Sequence, residues 1–465
     1  MSPSPAAPAE DGIVGTRGLG GIGALGIGLF TAILAVAFES IAVNTVMPVA
    51  AADLGGTTAY TWAFTLVMIG QLGATVLGGR WCDRAGPVPA LAVGVTIFTI
   101  GLIAAGAAPS WPALLAARFG QGLGAGFQTS GIFVLVARAW PPHRHPLMMS
   151  VISTGWVMPA FFGPPVAAWL TRELSWHWVF WSVLVLVALA LGLSSMPLLR
   201  AGRQLGRPES DPDVRPVPLW TAAVLPVGLV ATQFAGQQLR WQSVPLALVG
   251  LTMVVLASRQ FLPRTPQGRP NVGSPIVAVF MTRLLVAGAF MASDSLIPLM
   301  LQNGRGVSPL WSGLVLTFGS VGWTAASYAQ TALATRVARN RMIMVGAALV
   351  LVGLSFTTIV GATSLPPLLA ILGAAVCGSG MGLAMPGLNI SSMRLSRPAE
   401  LGRNQSGLLV HEGIGVSVTG AAAGTVLAAL LPLLAGQQTY ALVLACVLVP
   451  AVLGVWSASR VPRTD

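Results

Sequence analysis

The sequence contains no lysine: its 25 basic residues are all arginine, set against 13 acids and 4 histidines. A phosphate-binding loop for ATP-driven pumping needs a lysine, and Schiff-base enzymes need an amine, so neither chemistry is open to this chain alone. Charge of any kind is scarce, at 8% of 465 residues, where soluble domains carry about 25%. The three cysteines, Cys82, Cys377 and Cys446, lie too far apart for a disulfide framework or a Cys-x-x-Cys metal site, and they read as packing residues. His143 and His145, in Pro-Pro-His-Arg-His-Pro, have no cysteine or carboxylate beside them, so they read as a solvated basic loop and no metal site is expected. No HExxH or GxSxG motif and no nucleophile paired with a base occurs, which leaves an integral-membrane enzyme as a remote reading. The arginines form no patch, so the net charge of +12 does not point to nucleic acid.

What the chain has instead is apolar length. It is 54% hydrophobic. Runs long enough to cross about 30 Å of hydrocarbon fall at 21–48, 58–79, 88–107, 111–138, 146–170 and 178–197. After a polar stretch come a shorter pair, 218–236 and 243–258, and six more runs at 276–301, 309–330, 341–361, 365–388, 404–434 and 437–457. The predicted fold is an all-α polytopic membrane protein with 14 transmembrane spans. It divides into an N-terminal six-helix bundle at 21–200, a central linker at 201–270 with the extra helix pair 218–258, and a C-terminal six-helix bundle at 271–459, flanked by tails at 1–20 and 460–465. Were the middle pair not to span, twelve spans and the same orientation would remain. The first run is too long, and lacks the cleavage site, for a secretory signal. With the N-terminus in the cytoplasm, 20 arginines fall in cytoplasmic segments and 3, Arg172, Arg240 and Arg305, on the opposite side. That bias predicts a bacterial cytoplasmic (inner) membrane protein with both termini cytoplasmic.

An internal repeat is visible. Glu39-Ser-Ile in span 1 is echoed by Asp294-Ser-Leu in span 9, and Gly120, Gly122 and Gly124 of span 4 by Gly378, Gly380 and Gly382 of span 12. Parallel repeats of this kind occur in secondary transporters. Four further passages follow one another in the N-terminal half: Phe38-Glu-Ser-Ile-Ala-Val-Asn-Thr-Val-Met-Pro48, Gly79-Arg-Trp-Cys-Asp83-Arg84-Ala-Gly86, Arg118-Phe-Gly-Gln121-Gly-Leu-Gly, and Gly155-Trp-Val-Met-Pro159 with Gly163-Pro164-Pro165. In this order they resemble the major facilitator superfamily and, within it, the fourteen-span branch of drug:proton antiporters. Glu39 stands where that branch more often has Asp, and Ala167 and Ala168 where it has glycines. The resemblance implies two bundles rocking about a cavity lined by spans 1, 4, 9 and 12. It also implies a cytoplasmic gating loop at Gly79, Asp83, Arg84 and Gly86, and a bent span 5 at Gly155, Pro159, Gly163 and Pro164, packed against span 1.

A charge at the centre of a spanning helix costs about 2.5 to 3.5 kcal/mol on insertion scales, so those retained there are functional candidates. They are Glu39, Arg118, Arg283, Asp294 and Glu412, with His411 beside the last. Equal depth along the helices pairs Glu39 with Arg118 and Arg283 with Glu412, which leaves Asp294 without a basic partner. These six form the proton-coupling set. For Arg283 and Glu412 a structural pair is an equal alternative, for His411 a hydrogen-bonded packing role is the commoner reading, and Asp294 has neighbouring serines that could take its hydrogen bonds. Gln121 and Gln128 share a face of span 4 with Arg118 and, with Asn44 and Gln302, are the candidate substrate-cavity residues. The expected function is proton-coupled export of small hydrophobic or cationic compounds by alternating access, performed by a monomer in the lipid bilayer and driven by the proton gradient with no cofactor. Export of a lipid or an endogenous metabolite is the alternative.

Overall fold

The computed structural model describes residues 23–56, 62–206, 216–238, 241–263, 270–307, 309–430, 433–434 and 436–463. The tail at 1–20, part of the linker, and the orientation markers Arg17, Arg207, Arg215, Arg240, Arg264 and Arg269 lie outside the described residues. Among the described residues the chain forms α-helices and short turns, with no sheet. The helices are α1 (Gly23–Asp53), α2 (Trp62–Ala85), α3 (Pro87–Gly106), α4 (Trp111–Ala139), α5 (His145–Glu173), α6 (His177–Leu205), α7 (Thr221–Gln238), α8 (Val244–Ser258), α9 (Pro275–Leu299), α10 (Pro309–Leu333), α11 (Arg339–Ala362), α12 (Ala370–Arg394), α13 (Leu401–Leu430) and α14 (Gly436–Ala458). Ten of them are long and apolar enough to cross a membrane. Of the others, α7 is short, while α4, α10 and α13 are as long but richer in polar and small side chains.

Proline and glycine set several boundaries. Proline occupies the first turn of α3, α4, α8 and α9, where its missing N–H has no acceptor to lose. Between α2 and α3 the chain reverses at Gly86, whose φ of 88° is a left-handed value that a side chain would strain. Placing Gly79 to Arg84 in a loop needs correction, because α2 runs on to Ala85 and those residues are helical. Hydropathy had ended the span at the first charge, whereas backbone hydrogen bonding carries the helix past it.

The packing repeats with an offset of eight helices. In the first half α4 lies between α2 and α3, and α1 packs on α5 and α6; in the second, α12 lies between α10 and α11, and α9 packs on α13 and α14. The two sets meet where α2 touches α13 and where α5 touches α10. α7 lies against both α2 and α13, and α8 packs on α7. Small residues let the backbones close up. Gly122 faces Val67 of α2, Gly124 faces Phe98 of α3 and Gly126 faces Gln71 of α2; Gly378, Gly380 and Gly382 face Gly319 of α10, Gly346 of α11 and Trp323 of α10 in the same order. The glycine repeat is therefore shifted by one rung from its sequence alignment: a Cβ added at Gly120 would meet nothing within 4 Å among the described residues of other helices, and Gly122 is the counterpart of Gly378. Side by side, α5 and α1 bring Gly155 against Ile33 and Gly163 against Ile41, with Pro159, Pro164 and Pro165 inside α5.

Candidate functional site

Two ion pairs, one buried and one partly buried, anchor the helices. Glu39 of α1, 3% exposed, pairs with Nη1 of Arg118 on α4. The same guanidinium donates to Gln121 Oε1 at 2.7 Å and, through Nε, to the Ala63 carbonyl of α2 at 3.2 Å. Gln121 Nε2 reaches the Gly101 carbonyl of α3 at 3.4 Å, so its amide serves helix packing and not the cavity. One arginine thus ties α1, α2 and α4 and satisfies a charge that burial would otherwise penalise heavily.

In the other half Arg283 of α9 donates from Nη2 and Nε to Glu412 Oε2 of α13, at 2.6 and 3.0 Å, and from Nη1 to the Met385 carbonyl of α12 at 3.3 Å. The Glu412 side chain is 23% exposed, so this pair opens onto free space where the first does not. Its neighbour His411 turns the other way: Nδ1 lies 2.6 Å from the Gly407 carbonyl, and the ring stacks on Phe280 with centroids 4.8 Å apart.

Asp294 on α9 is half-buried and has no hydrogen-bond or ion partner among the described residues. The serines beside it are spent elsewhere, Ser293 Oγ donating to the Phe290 carbonyl at 2.7 Å and Ser295 Oγ to that of Met291 at 3.0 Å. Gln302, in the π-helical turn Met300–Gly304, donates from Nε2 to Ser312 Oγ of α10 at 2.6 Å. The Asn44 side chain lies outside the described residues. Gln128 is buried, and its Nε2 has no partner among the described residues.

One end of the molecule is sealed by two contacts between the halves. At the first, the N–H groups of Gly402 and Arg403, which open α13, donate to Asp83 Oδ1 and Oδ2 at 2.6 and 2.8 Å. The first N–H groups of a helix have no internal acceptor and carry its positive end, so a carboxylate is the natural partner. Gly79, one turn earlier, permits the approach: a Cβ there would lie 2.6 Å from the Gly402 carbonyl. Arg84 points out and is exposed. At the second contact Ser150 Oγ of α5 donates to the Ser327 carbonyl of α10 at 2.7 Å and lies 2.8 Å from Thr331 Oγ1, and Thr154 Oγ1 donates to the Tyr328 hydroxyl at 3.1 Å. Sequence reasoning missed this seam; lone hydroxyls on two apolar helices carry no local signal. The reading of His145 as solvated is also corrected, because it is buried at the start of α5 with Nε2 2.9 Å from the Trp140 carbonyl, while His143 is exposed.

Away from the seal the halves diverge. The face of α13 that meets α2 at Gly402, Ser406, Gly413 and Ser417 continues to Gly420 and Gly424, where an added Cβ would meet nothing within 4 Å among the described residues. Above the hydroxyl seam α5 and α10 part around a cleft of about 310 Å³ walled by Val157, Met158, Phe161, Val321 and Thr324. Among the described residues no cluster of three or more His, Cys, Asp or Glu could hold a metal. The arrangement therefore offers a space closed at one end, with two neutralised charge pairs and, among the described residues, one unpaired carboxylate well inside the helices.

Comparison with known proteins places this geometry. The family model described as Major Facilitator Superfamily matches residues 29–420. The uncharacterized MFS-type transporter Rv1877 of Mycobacterium tuberculosis is 28% identical over 384 residues, covering 80% of this chain and 54% of the relative, so the chain spans about half that protein's length. The multidrug transporter protein MdtP of Bacillus subtilis is 26% identical over 404 residues, covering 83% of this chain and 72% of its own. Among solved structures, a bacterial homologue of the iron transporter ferroportin in its outward-facing state superposes with a TM-score of 0.67 at 13% identity, covering 93% of this chain and 98% of that one, a likeness of fold alone.

Proposed function

Because the chain belongs to the Major Facilitator Superfamily, and so is a multi-pass membrane transporter and not an enzyme, we propose that it is a proton-coupled exporter of hydrophobic or cationic compounds, of the fourteen-span drug:proton antiporter type. In this reading α1–α6 and α9–α14 are two bundles that rock about the central space, α7 and α8 are the additional spans, and the arginine-bearing end lies in the cytoplasm of a bacterial inner membrane. The conformation described is then outward-open, sealed by Asp83 with α13 and by Ser150 with α10. The relative named a multidrug transporter supports the substrate class.

One observation carries the coupling. Of the three carboxylates well inside the spanning helices, away from their ends, Glu39 and Glu412 each face an arginine, while Asp294 faces none among the described residues. A carboxylate with no fixed counter-charge is the group free to exchange a proton for a cation. In liposomes loaded with a pH dye, addition of ethidium to the wild-type protein is expected to release protons, and Asp294→Asn to abolish that release. Binding is also expected to tighten as pH rises. Release that persists unchanged in both Asp294→Asn and Glu39→Gln overturns the coupling.

A further inference from the structure

His145 is a buried titratable group that the transport reading leaves unused. It opens α5 just ahead of the fifth apolar run, 146–170, and is 4% exposed. A carbonyl can only accept, so Nε2, 2.9 Å from the Trp140 oxygen, carries the proton of the neutral ring and Nδ1 is a bare acceptor. Nδ1 is buried and has no partner among the described residues. A polar atom left unsatisfied in such a place is costly, and native structures seldom keep one without a use.

The ring sits between the two halves. Trp140, Met148 and Met149, on either side of it in the chain, share one buried cluster with Ile390 and Met393 of α12. Within two helical turns Ser150 makes the hydroxyl seam with α10. The charged groups acting on the ring are Arg394 at the end of α12, Arg339 at the start of α11, itself 4% exposed, and His143 of the preceding turn. α1, α4, α6 and α10, which also pack on α5, add none among the described residues. All three are basic, so a proton on His145 would meet no carboxylate to answer it. Burial foremost, opposed by the bond to the Trp140 carbonyl and reinforced by these neighbours, pushes the pKa of His145 down to about 4.

We propose that His145 is a sensor of cytoplasmic pH: neutral while the halves are sealed around it and protonated once they part, it draws the protein from the outward-open toward the inward-open form as the cytoplasm turns acid. This role rests on the alternating-access reading and uses none of the carboxylates in the spanning helices. In the unsealed form the ring stands in water at its ordinary value of about 6.5 and binds the proton that the sealed form refuses. His145 therefore favours the seal in full above that value, and its contribution is lost as pH falls from there toward 4. Between pH 7.5 and 5.5 one such group shifts the balance about tenfold toward the unsealed form.

The test uses the full chain in nanodiscs with no gradient, in a Cys446→Ser background, with one reporter cysteine at either seam, Ser150→Cys on α5 or Ser406→Cys on α13. The two serines are 0% and 1% exposed, so alkylation by N-ethylmaleimide, read by mass spectrometry at that site, follows the unsealed fraction. His145→Gln keeps a donor for the Trp140 carbonyl and cannot be charged. The titrations of the thiol and of Asp83 are common to both proteins, so they cancel in the ratio of rates, with His145 over with Gln. At Ser150→Cys that ratio is expected to rise about tenfold from pH 7.5 to 5.5, and His145→Asn is expected to serve as the reference equally well if the glutamine variant does not fold. A ratio that stays within twofold overturns the sensor. Ser406→Cys separates the sensor from the reading beneath it: a rise at both seams supports both, whereas a rise at Ser150→Cys alone leaves the sensor standing and removes the rocking of whole halves that alternating access requires.

Discussion

Replacing Asp83 by Asn weakens one of the two contacts that seal the arginine-bearing end, and the structure sets the size of the effect. The carboxylate accepts two short bonds, 2.6 Å from the Gly402 N–H and 2.8 Å from the Arg403 N–H. An asparagine keeps one acceptor oxygen and turns its NH₂ toward the second N–H, so one bond is lost and the other ceases to be charge-assisted. Hydrogen bonds to charged groups contribute about 1.5 to 3 kcal/mol, which corresponds to roughly a tenfold to hundredfold rise in the unsealed population. Ser406, buried where α13 meets Gly79, reports that population. In a Cys446→Ser background, the alkylation rate of Ser406→Cys, read by mass spectrometry at that site, follows the open fraction as long as reclosing is faster than reaction. The rate is expected to rise by that factor when Asp83→Asn is added. Rates within twofold of each other would refute the view that this carboxylate holds the end shut.

Three further outcomes follow from the same geometry. Arg118→Met alone strands the buried Glu39 carboxylate and is expected to destabilise the fold by about 3 to 5 kcal/mol, while Glu39→Gln with Arg118→Met costs markedly less; thermal unfolding of the two in detergent checks this. Gly122→Leu drives a side chain into Val67 and is expected to cost about 1 to 3 kcal/mol, whereas Gly120→Leu, facing open space, leaves the melting temperature near wild type. Ser150→Ala combined with Thr331→Val removes the Ser150 bonds of the hydroxyl seam and leaves that of Thr154 to Tyr328, and the alkylation assay at Ser406 is expected to show a smaller increase than Asp83→Asn gives, because the bonds lost are neutral.

Much of the helical order was legible because it depends on quantities a sequence carries directly. Apolar length locates the helices, and prolines such as Pro87 and Pro275 mark where they start. Depth along a helix brings Glu39 to Arg118 and Arg283 to Glu412, since charges at the same level of a membrane have few other ways to be neutralised. Features that depend on helix rotation or on distant packing were not legible. The last turn of α2 carries Arg80, Asp83 and Arg84, and counting charge there hides a helix whose backbone is fully bonded. Gly120 and Gly122 are indistinguishable in sequence, and only the neighbours of α4 show which one is a contact. The Gln121 and Gln128 stripe divides in the same way, one amide absorbed by Arg118 and the other buried with its Nε2 unpaired among the described residues. Ser150 and Ser327 meet across 177 residues with nothing near either to announce it.

The offset of eight helices that relates the two halves maps α2 with α13 onto α10 with α5, so the two seams of the sealed end occupy equivalent positions. Their chemistry differs: a carboxylate on a helix terminus at one, hydroxyls on hydroxyls and a carbonyl at the other. A door fastened by two unlike bolts does not swing open evenly. Because neutral hydrogen bonds are weaker than charge-assisted ones, separation of the halves is expected to begin along α5 and α10. Symmetry of fold thus coexists with unlike chemistry at equivalent positions.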